Sequence, residues 1–226
     1  MTPRLEIYHL RVRVDGRQLL EIDELSLEAG ILAVLAGDAG SGKTLLAAAL
    51  CGDRDAEGTV RVDGRTLTGP PSRRVRAGLA ASVRDGGRIT GCTVRGALRL
   101  ATHDGARVGR ALDRIPQLGT RADVAAELLS GGEQQLLQVA CAWCTSPRVL
   151  VLDSPTVGLA PDAAEVVAEL AIEEAARGTS VLWLEQDRRA APAEPLAVLV
   201  SGTLSGVPAS GVGSSALSEE RHPRPG

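Results

Sequence analysis

The sequence predicts an α/β domain in which a parallel sheet forms the core, preceded by an antiparallel β-layer and flanked by a helical lobe. Three observations carry this. First, Ile31-Leu-Ala-Val-Leu-Ala36, Arg148-Val-Leu-Val-Leu-Asp153 and Ser180–Leu184 are short, unbroken apolar runs, as strands buried on both faces require. Second, these runs alternate with segments of helical period over 44–51, 133–144 and 162–177, the order of strands joined by crossover helices. Third, Leu5 to Leu35 alternates apolar with polar residues around Asp15-Gly16, a two-residue turn signal, and so reads as antiparallel strands. Gly58 to Gly64 reads as another hairpin of the same layer.

From about Ser72 to Leu129 the chain turns arginine-rich and helical in period, with Thr93 or Thr90 as N-cap for a helix over 94–102. This stretch is assigned to the helical lobe of a single domain spanning 1–207. Pro208 to Gly226, rich in Gly, Ser and Pro, is expected to be a disordered tail.

At 226 residues the chain suits one generous domain. A net charge of −3 provides no basic footprint, so nucleic acid is not expected as a partner. No apolar run approaches the ~20 residues of a membrane span, and the first residues lack a signal-peptide core. The expected location is cytosolic or peripheral. Aromatic residues are reduced to Tyr8, Trp143 and Trp183, which leaves the core to Leu, Val and Ala. Cys141 and Cys144 fall three apart on a predicted helix with no histidine or second pair nearby, so with Cys51 and Cys92 they are read as small packing residues.

The chemistry-bearing segment is Gly37-Asp38-Ala39-Gly40-Ser41-Gly42-Lys43-Thr44, placed between a buried strand and a helix. Its Lys43 is the only lysine among 25 Lys and Arg residues. A compact ammonium reaches between two phosphates where a planar guanidinium does not fit, so Lys43 is assigned to the β- and γ-phosphates of a nucleotide. The loop amides suit a polyphosphate, and Thr44 offers a hydroxyl to Mg²⁺. Asp153, closing the second apolar strand, is placed to hold the ion's water shell.

Between these two lies Leu129-Ser130-Gly131-Gly132-Glu133-Gln134-Gln135. Ser130, Gly131, Gly132 and Glu133 open a helix whose amides can approach a phosphate closely. A plain capped helix start with Ser130 as N-cap accounts for the serine but not for its company. Together these strings resemble ATP-binding cassette (ABC) ATPases over nearly the whole chain. That resemblance implies a P-loop NTPase (RecA-like) core, ATP and Mg²⁺ as cofactors, and ATP held between the loop of one subunit and the Ser130 segment of another. It further implies a site at the cytoplasmic face of the membrane, docked on integral-membrane permeases through the lobe at 72–129, with a solute-binding protein as an indirect partner. Ser154 to Pro161, Ile115 to Leu118, Leu184-Glu185-Gln186 and Val200 to Gly206 are similar to the ATPases of branched-chain amino acid importers and of urea or short-amide importers.

Four positions depart from that pattern. Where the family places a catalytic glutamate stands Ser154, which cannot accept a proton from the attacking water. Gln186 takes the place of a histidine that most relatives have near the γ-phosphate, a minor departure because glutamine is what the branched-chain importer pattern implies there. Val14 stands where an aromatic side chain stacks on adenine, with Tyr8 as substitute only in a shifted register. Asp85 matches the glutamine or glutamate that reaches Mg²⁺ from the start of the lobe. These departures predict a weakened catalytic site on this chain, which would pair with itself or with a second, complete ATPase. A nucleotide-dependent regulatory protein of the same fold is the alternative.

Overall fold

The computed structural model describes residues 3–84 and 86–205. Leu5–Val14 (β1) and Arg17–Leu27 (β2) pair antiparallel across Asp15 and Gly16, whose φ angles of 50° and 75° are those of the tight hairpin turn the sequence signals. Leu32–Ala36 (β3) then leads through the glycine loop into Lys43–Cys51 (α1). Glu57–Val62 (β4) returns to pair with β1 and turns into the two-residue strand Arg65–Thr66 (β5).

Pro71–Arg76 (α2) is followed by Leu79–Ser82 (β6), which pairs parallel with Val149–Asp153. This corrects the assignment of 72–129 as a whole to a helical lobe. Leu-Ala-Ala-Ser has no periodicity of its own, and its ladder to a strand some 70 positions away decides its conformation. The lobe's helices are Val94–Ala101 (α3), Gly105–Arg114 (α4) and Pro116–Gly119 (α5). Thr93, not Thr90, caps α3, its hydroxyl accepting from the Gly96 N–H at 3.0 Å. Asp104 caps α4 through the N–H groups of Ala106 and Arg107.

Gly131–Cys144 (α6) leads to Val149–Asp153 (β7), and Pro161–Ala176 (α7) to Ser180–Glu185 (β8). Ala197–Val200 (β9) and Thr203–Ser205 (β10) complete a ten-stranded sheet of order β5-β4-β1-β2-β10-β9-β3-β8-β7-β6. From β9 to β6 its neighbours run parallel.

The unbroken apolar runs have a simple cause. Alternate residues of each central strand serve two different cores. Ala33, Leu35, Val149, Val151, Leu182 and Leu184 face the first core, with α1 and the antiparallel layer. Val34, Leu150, Leu152, Val181 and Trp183 face the second, with α6, α7 and the lobe helices. The expected tail at 208–226 lies outside the described residues, as does Asp85.

Candidate functional site

β3, β8 and β7 are adjacent and parallel, and they end level with one another: Ala36 lies opposite Glu185, and Asp153 opposite Leu184. The carboxyl edge of such a sheet is where α/β folds place ligands. Here it receives the loop 37–42. Gly42, with φ 106°, is the N-cap of α1; the helix has no side-chain cap and no acid in its first turn, so nothing competes with an anion for its amides. A Cβ on Gly37 would lie 2.5 Å from the Leu199 carbonyl oxygen, so only glycine allows the loop to leave β3 here.

Lys43 is 7% exposed and bridges the loop internally: its Nζ donates to the Gly37 carbonyl at 2.6 Å, the Asp38 carbonyl at 2.8 Å and the Ser41 hydroxyl at 3.1 Å. Burial pushes its pKa below the usual lysine value, and Asp153, Glu185 and Asp38 pull it back up. An incoming phosphate oxygen has to share or replace these neutral acceptors, and its charge makes it the stronger partner.

Asp153 is fully buried. Its Oδ2 accepts from the Arg84 backbone N–H at 3.1 Å, whereas Oδ1 makes no hydrogen bond of good geometry among the described residues. Burial raises its pKa, against the opposing pull of the adjacent Thr44 hydroxyl, the Arg84 amide and the Lys43 charge. A buried carboxylate beside a threonine hydroxyl, with one oxygen lacking a hydrogen bond of good geometry, fits a hard oxygen-seeking cation, so Thr44 and Asp153 are the residues that could hold Mg²⁺. Asp85, the third expected ligand, lies outside the described residues.

Ser154 follows Asp153 with φ 47°, the left-handed region, and is 2% exposed; its N–H donates to the Leu184 carbonyl at 2.8 Å. It lines a cavity of about 690 Å³ together with Ala39 to Leu45, Arg84 and Gln186. Ser154 and Gln186 thus reach the phosphate loop, as the sequence placed them. The position expected to stack adenine does not: neither Val14 nor Tyr8 is among the lining residues, which besides the loop and α1's first turn include Gln18, Leu19, Ala48, Arg54 and Ser201.

Ser130 is the N-cap of α6 in a reciprocal capping box. Its hydroxyl accepts from the Glu133 N–H at 3.2 Å, and the Glu133 carboxylate accepts from the Ser130 N–H at 2.8 Å. The Ser130 amide holds the Glu133 carboxyl below the usual range, with Arg121 at 3.3 Å assisting. Gly131 and Gly132 line a separate cavity of about 550 Å³ that shares Arg84 and Ser154 with the first and contains no residue of the phosphate loop. Within one chain the loop and the Ser130 segment therefore stand apart, with Arg84 and Ser154 between them.

Sequence reasoning gave no role to Glu185, 1% exposed, whose carboxylate accepts from the Thr156 hydroxyl at 3.0 Å and the Gln186 N–H at 2.8 Å. The available signal was an acid ending an apolar strand next to the Asp153 strand. Arg84, Leu19 and Arg54 were missed as well, since nothing local in the sequence marks them. Cys141 and Cys144 play no visible part: burial pushes their thiols up to about 12 and about 11, far from reactive thiolates.

Comparison with known proteins agrees with this geometry. The sequence profile described as ABC transporter matches residues 20–157. The high-affinity branched-chain amino acid transport ATP-binding protein BraG of Pseudomonas aeruginosa is 31% identical over 185 residues, 75% of this chain and 76% of that protein. The hemin import ATP-binding protein HmuV of Chelativorans sp. is 30% identical over 202 residues, covering 81% of this chain and 76% of that protein. A solved ATP-binding subunit of an ABC transporter superposes with a TM-score of 0.75 at 23% identity, over 88% of this chain and 87% of that one, which shows the same P-loop NTPase fold. With its loop, its buried aspartate and its glycine-led helix in this arrangement, the chain belongs to the ABC transporter family.

Proposed function

We infer that this chain is the ATP-binding subunit of an ABC importer, taking Mg²⁺–ATP on its phosphate loop and closing it against the Ser130 segment of a second ATPase. Lys43 and the α1 amides would hold the phosphates, and Thr44, Asp153 and Asp85 the ion. Ser130, Gly131, Gly132 and Glu133 would serve the partner's nucleotide. The observation that supports the reading is that Lys43, Thr44 and Ser154 line one cavity on the carboxyl edge of β3, β7 and β8, with the buried Asp153 directly preceding Ser154.

The position after Asp153 is where a base would have to stand to activate water. A serine hydroxyl cannot take that proton near neutral pH, and loss of a positioned base costs ~10²–10⁴ in rate. This chain is therefore read as a weak hydrolase that still binds ATP, completed by a partner ATPase whose site its own Ser130 segment serves. No helix among the described residues is long and apolar enough to cross a membrane, which agrees with attachment to the cytoplasmic face through permease subunits. Branched-chain amino acids or related small polar solutes are the proposed cargo, supported by the BraG relationship and by the 154–161 and 184–186 strings; a solute-binding protein would deliver them.

Turnover of the purified chain tests this. Alone, it should hydrolyse Mg²⁺–ATP far below the ~1 s⁻¹ at which ordinary enzymes begin. Co-purification from its own membranes should bring permeases and a second ATPase. Full turnover by the isolated chain, or no permease in the complex, would overturn the reading.

A further inference from the structure

No aromatic ring lines the phosphate-loop cavity. The chain's aromatic residues are Tyr8, Trp143 and Trp183, and none of them lines it. Tyr8 lies on β1, its hydroxyl donating to Glu6 and its ring 5.9 Å from the Arg61 guanidinium. Trp183 is fully buried, and Trp143 packs against Arg107 of the lobe. A base entering this cavity therefore finds no ring of this chain to stack on.

It finds instead Leu19 and Arg54. Leu19 is 47% exposed, a large apolar side chain left open beside a cavity. Arg54 follows the glycine cap of α1, is exposed, and makes no side-chain hydrogen bond or ion pair with any other described residue. That sets it apart from Arg11, Arg95 and Arg114, each paired with a carboxylate. Gln18, the nearby amide, is already engaged by Glu21 at 2.7 Å.

We propose that Arg54 holds the nucleotide base, its planar guanidinium lying against the face of a purine that also rests on Leu19. A guanidinium is weakly hydrated and stacks on π-systems. Here the ring belongs to the ligand and the cation to the protein, the reverse of the usual arrangement of an aromatic side chain under adenine. A face contact reads no base edge, and the amide that could have read one is engaged elsewhere. Adenine and guanine triphosphates should accordingly bind within a few-fold of each other.

This inference rests on the reading of the loop as a triphosphate site, and the experiment separates the two. Calorimetry of the full chain with Mg²⁺ and ATP, GTP or inorganic tripolyphosphate is compared with the same titrations of Arg54→Ala. The variant should bind both nucleotides roughly two- to thirty-fold more weakly, the range of a cation–π contact, while tripolyphosphate affinity stays the same. An equal loss for all three ligands would make Arg54 a mere phosphate attractor, and no loss would remove it from the site; either result overturns the proposal and leaves the loop reading intact. Failure of tripolyphosphate to bind the wild-type chain would defeat the loop reading and this proposal with it.

Discussion

The Thr156 hydroxyl donates to the buried carboxylate of Glu185 at 3.0 Å, joining the segment after Asp153 to the end of β8. Both strand ends contribute to the cavity, so this bond fixes the spacing between Ser154 and Gln186. Removing one donor from a buried carboxylate leaves its desolvation incompletely offset, at about 1–3 kcal/mol. Thr156→Val should lower the unfolding free energy by that amount, whereas Thr156→Ser, which keeps the hydroxyl, should lose less. Denaturant titration of the three proteins decides it.

On the proposed reading of a weak hydrolase, Ser154→Glu is expected to supply the missing base. The residue lines the phosphate-loop cavity, and its left-handed φ of 47° is a backbone property that the new side chain inherits. Hydrolysis should rise by ~10²–10⁴ with nucleotide affinity little changed. An unchanged rate alongside unchanged affinity would place the defect elsewhere in the site.

Much of this site was legible in the sequence because it is locally encoded. The loop needs its glycines, lysine and threonine in consecutive order, and the strands feeding it are unbroken apolar runs because each faces two cores. β6 escaped because four small residues become a strand only through the ladder from Leu79 to Ser82 against β7. The base end escaped for a related reason: Leu19 comes from β2 and Arg54 from beyond α1, and only the closed sheet brings them to one cavity. Ser130 was legible as a helix start, since Ser130 and Glu133 form the reciprocal cap that opens α6.

Gly131 and Gly132 look alike in sequence and differ in the fold. A Cβ on Gly132 would lie 2.9 Å from the Gly158 carbonyl oxygen, a backbone atom that cannot swing away, whereas one on Gly131 meets nothing within 4 Å. Gly132→Ala should force α6 away from the segment after Asp153 and cost about 1–3 kcal/mol, the usual penalty for overpacking. Gly131→Ala should leave stability within about 0.5 kcal/mol. A thermal melt of both variants checks the contrast; equal losses would mean that α6 relaxes freely at this contact.

Burial of the Asp153 carboxylate is expected to cost the apo protein stability at neutral pH. Its folded-state pKa is raised by burial above the ordinary 3.8, so over the window that opens at 3.8 the folded chain holds a proton the unfolded chain has released. Stability contributed at this position therefore falls as pH rises through that window, and at neutral pH the buried charge is a net cost. Asp153→Asn removes the charge, so the apo variant should unfold at a higher denaturant concentration than wild type at pH 7, the gap closing as pH drops toward 4. Saturating Mg²⁺–ATP should reverse the order, because ligand bound only to the folded state stabilises wild type by about 2.7 kcal/mol at a hundredfold excess over Kd, while the variant has lost the carboxylate oxygen that Mg²⁺ would use. Denaturation curves of both proteins at two pH values, with and without nucleotide, read all of these signs at once, and a variant less stable than wild type in the apo state at pH 7 would show that the Asp153 charge is already compensated by Lys43.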